Sequence, residues 1–181
     1  MWELYALWAL AGFFVADSLG PEAPWAALVP AFAFATVAIG AVGCIGGGLI
    51  SRRVGERRVA LVALAVSGSM CLASGLAYRA PPGVLLVFLL VWGVFVVADS
   101  PQFSALAARH APSEYTGTAL TIQNGIGFLV TTVSIQLVPR LADAIGWQWA
   151  FTVLAIGPVV GGVFTSKVPT GAAQPQDSSS D

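Results

Sequence analysis

Charge is scarce in this chain. Only 9% of its 181 residues are Asp, Glu, Lys or Arg, against about 25% in soluble domains. The formal net charge of −1 argues against a nucleic-acid partner. Cysteine occurs twice and histidine once. Cys44 and Cys71 each fall inside an apolar run with no His or second Cys nearby, so both read as small packing residues and neither a disulfide nor a metal site is expected. His110 flanks a loop and reads as an interfacial polar residue rather than a ligand or proton relay. No nucleophile–base pair and no metal-ligand spacing occur. Gly46-Gly47-Gly48 lacks the Gly-Lys-Ser/Thr ending of a phosphate-binding loop. The expectation is therefore not an enzyme, with no cofactor and no metal.

What the chain has in abundance is apolar side chain, 57% of it, with a mean hydropathy of +0.82. A soluble core of this size cannot absorb that much, but a bilayer can, and about 20 mostly apolar residues cross one as a helix. Six such spans are predicted, at about 2–19, 25–50, 59–78, 83–107, 117–139 and 147–166, forming one domain over 1–167. Helices are preferred to strands because the runs are long, rich in Ala, Leu and Gly, and not alternating. A lone helix in lipid satisfies its own backbone hydrogen bonds. Turn chemistry separates the spans: Asp17 to Glu22 with Gly20-Pro21, Arg79 to Gly83 with Pro81-Pro82, Ala111 to Glu114 with Pro112, and Gly146. The polar stretch 168–181 is predicted to be a disordered cytoplasmic tail. Residues 1–20 do not form a signal peptide, for Glu3 stands where a basic residue belongs. Apolar character begins abruptly at Trp2, which points to a chain cut from something longer or a late start codon.

Lys and Arg set the orientation. If the segment Arg52–Arg58 is cytoplasmic, the inner face also receives Arg109 and Lys167, and the outer face receives only Arg79 and Arg140. The expectation is a cell (plasma or inner) membrane protein with both termini cytoplasmic, and with Trp25, Tyr78, Trp147 and Trp149 near the outer interface. Small residues four apart, as in Gly43 and Gly47, Ser67, Cys71 and Gly75, or Gly157 and Gly161, let helix backbones approach closely. They signal a packed bundle.

Each ionisable group inside a membrane costs roughly 2.5–3.5 kcal/mol on insertion scales and needs a reason. Glu3 and Asp17 share a face of the first span about 40° wide, roughly 21 Å apart along the helix. Two readings stand: both lie in water at the interfaces, or both mark the mouths of a polar pathway. In the fourth span, Trp92, Phe95, Asp99 and Gln102 fall within about 80° of one another, a face suited to a polar organic ligand or a cation. Pro101 loosens the helix there. The competing reading has Asp99 near the inner interface, capping a helix or pairing with an Arg. The fifth span is the most polar: Gln123, Asn124, Gly127, Thr131 and Ser134 occupy an arc of about 100°. That stripe either hydrogen-bonds another helix or lines a substrate pathway. Spans three and six carry no charge in their middles and read as lipid-facing or peripheral.

Gly48-Leu49-Ile50-Ser51-Arg52-Arg53-Val54-Gly55-Glu56-Arg57-Arg58 resembles the loop signature of the major facilitator superfamily: a Gly, three residues, an Asp, a basic residue, one residue, a Gly, then basic residues. Arg52 departs from the Asp, and Glu56 from a basic residue. In those transporters the signature joins the second and third helices of each six-helix half on the cytoplasmic side, and the copy in the C-terminal half is often degenerate. Trp2-Glu3-Leu4-Tyr5 resembles the start of a seventh helix. Asp99 to Ser104 and Gly117 to Leu120 resemble tenth and eleventh helices of a bacterial subgroup of nitrate- or cyanate-type permeases. The resemblance implies an all-α membrane fold of six transmembrane helices, arranged as two inverted three-helix repeats that form one half of a major-facilitator-like fold. It further implies that spans one and four line a cavity, spans two and five face the other half, and spans three and six lie outside.

The function so implied is that of the C-terminal half of a secondary active transporter, moving a small molecule or ion by alternating access. Its partners would be the lipid bilayer and a missing N-terminal six-helix half or a second copy. The competing class is a truncated or accessory membrane protein with a packing or assembly role. The arginines Arg52, Arg53, Arg57 and Arg58, with Gly48 and Gly55, read as a conformational latch. Guanidinium groups at such a junction can bond helix C-terminal carbonyls, nearby carboxylates and anionic lipid heads.

Overall fold

Long, apolar, helix-compatible runs give helices here because lipid offers the backbone no other partners. A computed structural model describes residues 1–22 and 24–168. The predicted tail 168–181 lies, beyond Val168, outside these residues. The first span is α1 (Leu4–Leu19), of 16 residues. The second comprises a 3-10 turn (Ala26–Leu28), α2 (Val29–Ala38) and α3 (Gly40–Val54). The third is α4 (Glu56–Ala77). The fourth divides into α5 (Pro82–Ala98) and α6 (Ser100–His110). The fifth is α7 (Thr116–Ile145), with Pro139 inside it. The sixth comprises α8 (Trp147–Ala150), a 3-10 turn (Phe151–Ala155) and α9 (Ile156–Lys167). Among the described residues, five helical stretches are long and apolar enough to cross a membrane, and Leu4–Leu19 is a shorter apolar helix. The protein is an all-α, multi-pass membrane protein.

The expected arginine loop is almost absent. Arg52 and Arg53 belong to the last turn of α3, Arg57 and Arg58 to the first turn of α4, and Gly55 alone joins them. Its φ of 89° and ψ of 146° lie in a region that only glycine occupies freely. The last turn of α3 is the favourable place for arginines, beside the negative end of the helix.

The closest helix seam runs between α3 and α5. A Cβ on Gly43 would collide with the Val94 carbonyl, and where α2 meets the same helix one on Gly93 would collide with the Thr36 carbonyl. One on Gly47 would stand 3.0 Å from the Ala98 carbonyl oxygen. The four-residue glycine spacing thus brings two backbones together. Elsewhere the same spacing accepts side chains: Gly75 takes the Trp149 ring, and Gly157 the Trp2 ring. The interior is filled by Leu7, Phe14, Leu85, Leu89, Trp92 and Phe151, all fully buried. Phe151 meets Phe14 and Trp92 edge-on, with ring centroids 5.2 and 5.8 Å apart. The outer surface is apolar, with Phe34, Leu72, Leu76 and Leu129 exposed, as a lipid-facing surface requires.

The third span is lipid-facing along one edge, where Val62, Leu72 and Leu76 are exposed, and packed on its other sides. α4 packs against α3, α5, α6 and α9 at once, and buries Ser67, Cys71 and Ser74. An uncharged middle says nothing about how many neighbours a helix has, and its small residues are what admit four of them. The sixth span fits the peripheral reading better: α9 leaves Val159 and Phe164 exposed and rests chiefly on α4.

Candidate functional site

The first turn of α1 lies beside the middles of its neighbours, and this decides the fate of Glu3. Its carboxylate accepts a hydrogen bond from the Trp92 indole N–H at 2.5 Å and one from the Ser67 hydroxyl at 3.1 Å. Trp92 lies well inside α5, and Ser67 at the centre of α4. Glu3 is 5% exposed. Its expected place in water at an interface is therefore wrong: helix-wheel geometry gave its face but not its depth. The two bonds do what a buried charge needs, placing donors on both carboxylate oxygens.

Asp99 shares a cavity with Glu3. A space of about 160 Å³ is lined by Met1, Trp2, Glu3, Leu64, Asp99 and Phe103, with Pro158 and Gly161 from α9 among the remainder of its wall. Asp99 occupies the turn between α5 and α6, where Pro101 withholds a backbone donor. Ser100 donates its hydroxyl to the Asp99 carboxylate at 3.3 Å. No Arg pairs with Asp99 among the described residues, because Arg109 bonds Glu56 at 2.8 Å instead. Asp99 stands at the N-cap of α6 without a side-chain cap bond. The capping and pairing readings both fail.

Trp92, Phe95, Asp99 and Gln102 do not present one face to one space. Their arc straddles a helix seam. Trp92 and Asp99 turn toward α1 and Glu3. Phe95 lines a groove with α3 and α4. Gln102 is 1% exposed and abuts Gly47, its amide nitrogen bonded to the Ala98 carbonyl at 3.4 Å. An 80° arc is wide enough to touch two neighbours, and the wheel cannot say where they stand.

The polar stripe of the fifth span also divides. Thr131 and Ser134 are buried and bond backbone carbonyls, Thr131 to Gly127 at 2.9 Å and to Met1 at 3.3 Å. They act as interhelical and intrahelical hydrogen bonders. Gln123 and Asn124 instead line a second, wider cleft of about 400 Å³ with Ser100, Ser104, Trp2 and Phe103. Met1, Trp2 and Phe103 belong to both spaces and form the partition between them. The Trp2 indole N–H is buried with no acceptor among the described residues, an unmet donor beside both. Two carboxylates, an unpartnered N–H and a cleft with amides and hydroxyls can hold a polar solute, a proton or a cationic group.

Asp17 is elsewhere. It is exposed at the far end of α1, where the Tyr78 hydroxyl donates to it, tying α1 to the end of α4. At the arginine end, Arg57 donates to the carbonyls of Thr165 (3.1 Å) and Ser166, the last turn of α9. Arg52, Arg53 and Arg58 are exposed. Spacing alone assigned Ser67 to packing, whereas its hydroxyl holds the Glu3 carboxylate; a hydroxyl at the centre of an apolar span was the signal for it. Among the described residues no group of three His, Cys, Asp or Glu side chains could hold a metal ion.

The family model described as Major Facilitator Superfamily matches residues 1–180. None of the curated proteins compared with the chain matches it. Six apolar helices around a buried carboxylate, and a match over nearly the whole sequence, lead to one conclusion: the chain belongs to the major facilitator superfamily, a superfamily of multi-pass membrane transporters and not of enzymes.

Proposed function

We propose that the chain acts as the C-terminal six-helix half of a secondary active transporter, which moves a small solute by rocking against an N-terminal half or a second copy. The observation that carries this reading is Glu3: a carboxylate at mid-bundle, held by Trp92 and Ser67, on a cavity that Asp99 also lines. Ionisable groups at such depth are rare and mark substrate or ion pathways. In this reading Glu3, Trp92 and Asp99 form the coupling centre, and the cleft with Gln123 and Asn124 is the solute's route. Phe95 and Gln102 support the helix that carries Asp99. Thr131 anchors the start of α1. Asp17 holds the outer end, and both termini are cytoplasmic.

The helix pairings support two inverted repeats, spans one to three and four to six, of the kind that builds midplane sites. Exchanging the repeats turns the α3–α5 seam into the α7–α1 contact and maps α4 and the sixth span onto each other. All three contacts exist. An uptake screen in cells expressing the protein from its native locus tests the proposal. Small anions belong in the screen because Asp99 to Ser104 resembles nitrate- and cyanate-type permeases, and small cations because of the carboxylates. Glu3→Gln and Asp99→Asn should each cut uptake by about tenfold or more, on the order of 1.4 kcal/mol, at unchanged membrane abundance. Val91→Ala, on the exposed side of α5, should do little. Full uptake by both carboxylate variants would overturn the site.

A further inference from the structure

Three arginines at one end of the bundle lack a protein partner among the described residues. Arg57 is spent on α9 and Glu56 on Arg109, while Arg52, Arg53 and Arg58 stand exposed with no ion pair. From Arg58 runs an apolar groove of about 490 Å³ between α3, α4 and α5. Its walls include Val42, Gly46, Ile50 and Val54 from α3, Val62 from α4 and Phe95 from α5, and Arg58 is the single charged residue in its lining. From Val42 to Val54 the helix rises about 18 Å, close to the roughly 15 Å of one leaflet's hydrocarbon. The groove is open along its length because Gly46 carries no side chain, and a Cβ there would meet nothing within 4 Å.

We infer that this groove binds an acidic phospholipid, with one acyl chain laid along α3 and the headgroup phosphate on Arg58, with Arg53 on the groove's side of α3. The charges are complementary, and the apolar trough begins where the charge ends. Basic clusters at a membrane surface attract anionic lipid in this way, and guanidinium groups suit phosphate geometry.

Native mass spectrometry of the full chain in detergent tests this, with dioleoyl phosphatidylglycerol and dioleoyl phosphatidylcholine as probes. The acidic lipid should be retained as a single adduct over the zwitterionic one. Arg58→Gln should reduce that retention about fivefold. Gly46→Leu fills the trough and leaves every charge in place; it should also reduce retention. Ile50→Trp, at an exposed groove position, gives a second way to fill it should Gly46→Leu express poorly. Equal retention of the two lipids overturns the inference. So does undiminished retention by both groove-filling variants, which would leave surface charge alone as the cause.

Discussion

Glu3 and Trp92 show how much one side chain's surroundings matter. The indole ring fills the centre of the core, fully buried, and its N–H serves a carboxylate from another helix. Trp92→Phe keeps most of the ring and removes the donor. The Glu3 carboxylate oxygen that the indole serves would then lose that donor, and an unmet buried acceptor costs about 1–3 kcal/mol. The expected outcome is a lower melting temperature in detergent. The effect should shrink in a Glu3→Gln background, because the two residues are directly bonded and their effects are not additive. A fully additive double variant would mean the bond is not formed. None of this was legible in the sequence. Hydropathy marks Glu3 as anomalous, and a wheel gives its azimuth. Neither says that the first turn of α1 stands beside Ser67 rather than at a membrane face.

At the scale of helices, glycine placement was the better guide. Gly43 and Gly47 were readable as a close-packing pair, and they lie in the tightest seam. Which helix they meet was not readable, since any span with a smooth face would serve. The α3–α5 seam yields a sharp contrast. Gly43→Ala drives a methyl into the Val94 carbonyl, a backbone atom that cannot swing aside. Overpacking of this kind costs about 1–3 kcal/mol. Gly46→Ala, three residues along the same helix, meets open space and gains about 1 kcal/mol of helix propensity. Thermal unfolding of the two variants in detergent should therefore move in opposite directions. Equal shifts would mean that α3 and α5 do not touch at Gly43. The fourth span teaches the limit of reading one helix alone. Trp92, Phe95, Asp99 and Gln102 are neighbours on α5 and α6, yet α1 and α3 divide them.

For the whole molecule, an all-α fold of about six apolar helices was legible because lipid imposes a length on every apolar run. Which sides of α4 are packed was not, because an uncharged span carries no mark of where its neighbours stand. Orientation rests on Lys and Arg, with Arg53 and Glu22 at opposite ends of the second span. Arg53→Cys should react with a membrane-impermeant maleimide only after the cells are opened, and Glu22→Cys in intact cells. Both side chains are exposed, and the reaction is to be read against a Cys44→Ser background. Reaction of both in intact cells would overturn the topology. The bond from Arg57 to the end of α9 has a consequence for how such a bundle is made. Its acceptors, the carbonyls of Thr165 and Ser166, leave the ribosome more than a hundred residues after the donor. Throughout that interval the guanidinium must make do with water or lipid phosphate. That rim of the bundle is thus closed only once the sixth span has arrived, and a later-made helix locks an earlier one.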